Sequence, residues 1–174
     1  MGSSFGRAAV AVPRVILGLL VLGAIGTMLF GVLARYVLLP ITDWFDADPV
    51  NFFWVEEVGE TTLAWITMIG AAIAVAERGH FNLAVLVHRL SPAARKIIDR
   101  ATQLLILGFG LLVAWLGLKL ALLNYMLTSP ALEFSLAWLY LPAAIGGLLM
   151  ALYAARQIVT PSPIVTVGTA HGQA

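Results

Sequence analysis

With 61% hydrophobic and only 11% charged side chains, a chain of 174 residues carries more apolar surface than a water-soluble domain of that size can bury. A mean hydropathy of +0.96 places it in a bilayer, and its net charge of +1 leaves membrane lipid, not nucleic acid, among its partners. The absence of cysteine excludes disulfides, thiolate metal sites and cysteine nucleophiles.

Crossing about 30 Å of hydrocarbon takes about 20 apolar residues at about 1.5 Å rise each. Val15 to Ala34, uncharged between Arg14 and Arg35, forms the first such stretch, predicted to span about 15–36. Arg7 and Arg14 before an apolar run also suggest a signal peptide, but the run exceeds the usual core of about 7–15 residues. Gly31-Val32-Leu33-Ala34-Arg35 is a poor cleavage site, so an uncleaved span is expected.

The second span, about 55–77, is the most informative. Trp54-Val55-Glu56-Glu57 opens it, Gly70-Ala71-Ala72 lies inside it, and Glu77-Arg78-Gly79-His80 closes it. Charge at both ends with a small-residue face between describes a helix built to pack against other helices in lipid. Phe81 to Leu90 is apolar but too short to cross, with His80, Asn82, His88 and Arg89 interspersed; it reads as an interfacial helix over about 80–90. Ser91 and Pro92 then cap and start a long helix that carries the third span, about 97–127. The fourth, about 134–156, has Pro142 near its start, which kinks it or leaves a carbonyl to be satisfied elsewhere. Residues 157–174, rich in Pro, Gly, Thr and Ser, are expected to be a flexible tail.

The fold class is therefore an all-α integral membrane protein, one four-helix domain over residues 1–156. Arg78, Arg89, Arg95, Lys96 and Arg100 place the middle connection in the cytoplasm by the positive-inside rule, and Arg7, Arg14 and Arg156 place both termini there. Asp43, Asp46, Asp48, Glu56, Glu57 and Glu60 face outward, where Tyr36, Trp44, Trp54, Tyr125 and Trp138 also collect.

Charge stands only at the segment ends, so the carboxylate that an exchanger needs at mid-membrane is missing. His80, His88 and His171 lie in the connection and the tail, which excludes a haem ligand pair inside the bundle. Ser and Thr stand without a base partner and no glycine-rich phosphate loop is present, so no enzyme, cofactor or metal site is expected. Small-xxx-small pairs are the better signal: Gly70 with Ala74, Gly110 with Ala114, and Gly147 with Ala151. They join the four helices to one another or dock one face to another membrane protein. Arg35 and the carboxylates Glu56, Glu57 and Glu60 share one interface, either as an ion pair across two helices or as solvated charges. Trp54 is a belt residue or a partner contact. His80 caps the end of span two; Ala84 stands where a second metal ligand one turn later would be. The acidic stretch Asp43 to Asp48 either meets a partner or is a solvated loop.

Arg35-Tyr36, Trp54-Val55-Glu56-Glu57, Trp65, Gly70-Ala71-Ala72-Ile73-Ala74 and His80-Phe81-Asn82-Leu83, in that order, resemble the small membrane subunit (Q-type, DctQ-like) of tripartite ATP-independent periplasmic (TRAP) transporters. The resemblance covers about Val15 to Arg156; it departs at Ala84, where the family often has an acidic residue. It implies a non-catalytic permease subunit in the bacterial inner membrane. Its partners would be a large multi-span membrane subunit and a periplasmic substrate-binding protein that delivers an organic acid. Sodium ions would belong to the large subunit, which this chain would brace. The residues leave two other readings: a self-contained homo-oligomeric small transporter or channel, and a membrane-anchored assembly or redox-chain accessory protein.

Overall fold

The computed structural model describes residues 2–44, 52–77 and 91–159. The chain begins with α1 (Gly2–Leu33), which continues through a π-helical turn (Ala34–Leu38) into the short α2 (Leu39–Trp44). Three helices follow: α3 (Phe53–Ala76), α4 (Pro92–Leu123) and α5 (Ala137–Val159). Four of the described helical stretches are long and apolar enough to cross a membrane. The expected interfacial helix at 80–90, His80 with it, lies outside the described residues, as do residues 45–48 of the acidic stretch.

The first helix is longer than its expected span because helix continues beyond both arginines. Pro40 accounts for the π turn. It lacks the N–H that would bond the Tyr36 carbonyl, and its ring crowds that oxygen, so the backbone shifts to the wider ring in which Leu39 N–H donates to Ala34 O. Ser91 caps α4 as expected: Ala94 N–H donates to its hydroxyl at 3.3 Å, with Pro92 at the first helical position. At its other end α4 stops at Leu123, short of the expected Leu127. The Asn124 side chain donates to Leu120 O at 2.8 Å and its backbone N–H to the same oxygen at 3.0 Å, closing the last turn. Residues 134–136 are likewise not helical. They belong to a tight hairpin in which Thr128 and Ser135 form an antiparallel bridge. Ser135 ends it by accepting the Ala137 N–H at 3.2 Å and so starts α5. Helix then runs to Val159, so residues 157–159 of the expected tail are helical and the rest of it lies outside the described residues.

α4 and α5 cross most closely. A Cβ on Gly110 would stand 2.9 Å from Ala151 N and Gly147 O; one on Gly147 would stand 2.6 Å from Ala114 N and 2.8 Å from Gly110 O. Two of the expected small-xxx-small pairs are thus the two halves of one contact, each pair receiving the backbone of the other. Gly117 extends the crossing against Ala143 and Ala144. α3 joins on the other side of α5, where a Cβ on Gly146 would meet Met68 Cβ at 2.7 Å. The buried cluster Ala72, Val75, Met150, Tyr153 and Ala154 lies along that seam. α1 is peripheral: none of its most apolar stretch is buried. It packs on α3 where Gly31 meets Val55 and Gly59 meets Met28.

Gly70 differs from the other pairs, since nothing stands within 4 Å of the Cβ it lacks. Gly147→Ala is expected to destabilise the bundle by about 1–3 kcal/mol, because backbone atoms of α4 would have to move. Gly70→Ala should be neutral or slightly stabilising, since a mid-helix glycine costs about 0.5–1 kcal/mol relative to alanine. Denaturation of the two variants in the same detergent distinguishes them, and equal effects would contradict the interlocked crossing.

Candidate functional site at the charged ends of the bundle

Arg14 and Arg35 stand 21 residues apart on one helix, and Glu56 and Glu77 stand 21 residues apart on the next, which runs the other way. At about 1.5 Å per residue that separation is about 32 Å, the thickness of a hydrocarbon core. The structure brings the four together as two ion pairs. The Arg35 guanidinium donates to Glu56 Oε1 at 3.1 Å at one end of α1 and α3. At the other, Arg14 reaches Glu77 Oε1 with Nη2 at 2.6 Å and Nε at 2.8 Å. The expected Arg35 pair therefore forms with Glu56, and an Arg14 pair at the opposite face matches it. Each pair lies at about the depth where the membrane interface would fall, and each is exposed in the isolated chain, worth under about 1 kcal/mol where water reaches it.

Trp54 packs inside the chain: its ring centroid lies 5.5 Å from that of Phe30, which also meets Phe52 edge-on at 6.3 Å. This contact sets α1 against the start of α3 beside the Arg35–Glu56 pair. Ala74 is half-buried, and with Gly70 left open the pair forms no close crossing among the described residues.

Glu57 is not a partner of Arg35, although it is adjacent to Glu56. The helix turns it about 100° away, toward the hairpin between α4 and α5. Its carboxylate accepts the Ser129 hydroxyl, Ala131 N–H at 2.9 Å and Leu132 N–H at 3.0 Å. Those amides sit at the hairpin tip, just before Glu133, which takes a left-handed backbone conformation at φ 55°. One side chain on α3 thus satisfies the turn that links α4 to α5. The sequence marked Glu57 only as one of three carboxylates that share an interface with Arg35, and nothing in it pointed to the hairpin.

A second polar device lies at the Glu77 end. Gln157 on α5 donates Nε2 to Val75 O at 2.7 Å, near the last turn of α3, where carbonyls have no helical partner. Its Oε1 therefore faces Gln103 on α4, which donates Nε2 at 2.9 Å. Carbonyls only accept, so the chain of bonds settles both amide orientations and turns Gln103 Oε1 away. That oxygen is buried without a partner among the described residues, and Gln103 is 5% exposed. Two glutamines tie the ends of three helices. Neither was a sequence candidate, since a single glutamine near a span end has no distinguishing spacing.

Glu57→Gln replaces one accepting oxygen by a donor that faces other donors, and is expected to loosen the hairpin, with faster amide exchange at Ala131 and Leu132. Unchanged exchange at those two amides would show that the hairpin holds itself. Gln157→Leu should be destabilising, because it takes a side-chain donor from the last carbonyls of α3 and a partner from Gln103, whereas Gln103→Leu loses one bond but also removes a buried oxygen that has no partner among the described residues. Thermal unfolding in detergent is expected to rank Gln157→Leu below Gln103→Leu.

The family described as tripartite ATP-independent periplasmic transporters, DctQ component, matches residues 24–162, from the middle of α1 to just beyond α5. No curated protein matches this chain. The matched region contains the Arg35–Glu56 pair, the Glu57-anchored hairpin, the glycine crossing and the glutamine tie. A match over most of the chain, with four helices able to cross a membrane, settles the assignment: this multi-pass membrane protein belongs to the DctQ component family of the TRAP transporters.

Proposed function

We propose that this chain is a non-catalytic bracing subunit. It holds a large multi-span membrane subunit in place while that partner carries an organic acid, delivered by a periplasmic binding protein, across the bacterial inner membrane with sodium. Both termini face the cytoplasm in this arrangement and the Glu56 end faces the periplasm. The observation that carries the reading is the placement of charge. Arg14, Arg35, Glu56, Glu57 and Glu77 stand at the ends of the apolar spans and are bound to one another or to a hairpin of the same chain. Between those ends the seams are made of glycine, alanine, valine and methionine, with Tyr153 among them. Such a body is stiff and offers apolar surface to its surroundings; α1 in particular shows Leu19, Leu22, Ile25 and Leu29 outward. Gly18, Gly23 and Gly26 have nothing within 4 Å of the missing Cβ, so another helix has room to approach closely.

The test is to co-express the tagged chain with its native neighbours, solubilise gently, and identify what is recovered with it. A large membrane protein in fixed ratio is the expected outcome. Recovery of this chain alone as a defined oligomer that transports an organic acid in vesicles would replace the bracing role by the self-contained transporter.

A further inference from the structure

Two hollows at the Glu56 end share one wall. The upper one, about 270 Å³, is a cup lined by Phe53, Glu56, Glu57, Glu60 and the Pro130–Ala131 stretch of the hairpin. The lower one, about 440 Å³, is a furrow between α3 and α5 lined by Ala64, Thr67 and Met68 on one side and Leu139 and Pro142 on the other. Glu60 belongs to both. Below Glu60 the furrow is apolar, because the Thr67 hydroxyl donates to Leu63 O at 2.8 Å and offers nothing outward. It ends near Met68, where α3 and α5 come together at Gly146. From Glu60 to Met68 is about 12 Å of helix, close to the depth of one leaflet.

The charges of the cup are unequally engaged. Glu57 is saturated by the hairpin and Glu56 is paired with Arg35. Among the described residues Glu60 has neither a hydrogen bond nor an ion pair, and its side chain is exposed. Arg35 uses one nitrogen on Glu56, and its side chain remains 66% accessible beside the cup.

We propose that this crevice binds one zwitterionic aminophospholipid, with an acyl chain in the furrow and the headgroup ammonium on Glu60. An anionic phospholipid is disfavoured, since it lacks the ammonium and brings its charge against three carboxylates. Arg35, held on Glu56 of the cup, is the cation available to the phosphate. A transmembrane helix is a poor occupant, because the furrow is blind at mid-depth, whereas a crossing helix needs a groove that continues to the other face. A lipid chain needs one leaflet only.

The full chain, co-purified with its native neighbours, is equilibrated in vesicles of equal phosphatidylethanolamine and phosphatidylglycerol, extracted gently, and its retained lipid measured by native mass spectrometry. The wild type is expected to retain phosphatidylethanolamine preferentially. Glu60→Gln should lower that preference about fivefold, the scale of one charge at a membrane surface. Ala64→Phe, which fills the furrow, should reduce retention of both lipids; Thr67→Phe, at an exposed position, does the same if Ala64→Phe does not fold. Retention in the ratio of the vesicles, or a preference that Glu60→Gln leaves unchanged, overturns the proposal. So does a photo-crosslinker at position 67 that captures a polypeptide instead of lipid.

Discussion

The closeness of α4 to α5 is the constraint on which the rest of the bundle depends. In lipid the solvent is as apolar as the side chains, so helices gain nothing by hiding leucine from it; they associate where backbones can approach. Gly110 and Gly147 each leave room that an adjacent backbone fills, with Ala114 and Ala151 one turn further along. Once that crossing is set, α5 presents Gly146 to Met68 of α3, and the cluster around Ala72 and Tyr153 closes behind it. The polar contacts at either end then connect surfaces that are already adjacent.

Those polar contacts divide the work between the two membrane faces. At the Glu56 end a carboxylate fastens the α4–α5 hairpin to α3, and a second carboxylate fastens α1. At the Glu77 end a glutamine pair ties α5, α4 and the last turn of α3, and another ion pair fastens α1. Buried charge would be costly at either place. Here the paired charges stay at the ends of the apolar spans, and the buried polar contact is made by neutral amides. α1 is held differently from the other three: by an ion pair at each face and a short aromatic contact, with its mid-span glycines open. Among the described residues, α1 is thus held near the two ends of its span and open along its middle.

The Pro40 π turn shows how a local rule acts at a distance. Proline removes one hydrogen bond, and the backbone recovers by inserting a wider ring beginning at Ala34. Arg35 lies in that ring and Ala34, beside it, is fully buried. The turn therefore sits where α1 meets α3 and where the arginine reaches Glu56.

Much of the architecture was legible in the sequence because the bilayer imposes a length. About 20 apolar residues between charges is a requirement of hydrocarbon thickness, so the four spans could be read without knowing what they touch. Local chemistry was equally legible: Ser91 and Pro92 begin a helix by satisfying or lacking an N–H in the first turn, whatever the tertiary setting. The small-xxx-small spacing marked Gly110, Ala114, Gly147 and Ala151 as packing residues, but it marked Gly70 and Ala74 equally. Only the packed structure separates them, because spacing gives a face and not its partner. The same holds for the carboxylates. Glu56, Glu57 and Glu60 are neighbours in sequence, and the helical turn sends one to Arg35, one to the hairpin and one to an open crevice. The sequence by itself determined which segments cross the membrane and where their charge lies, since both follow from local composition. Which glycine, carboxylate or glutamine meets which neighbour was decided by tertiary structure, because those contacts join residues distant along the chain.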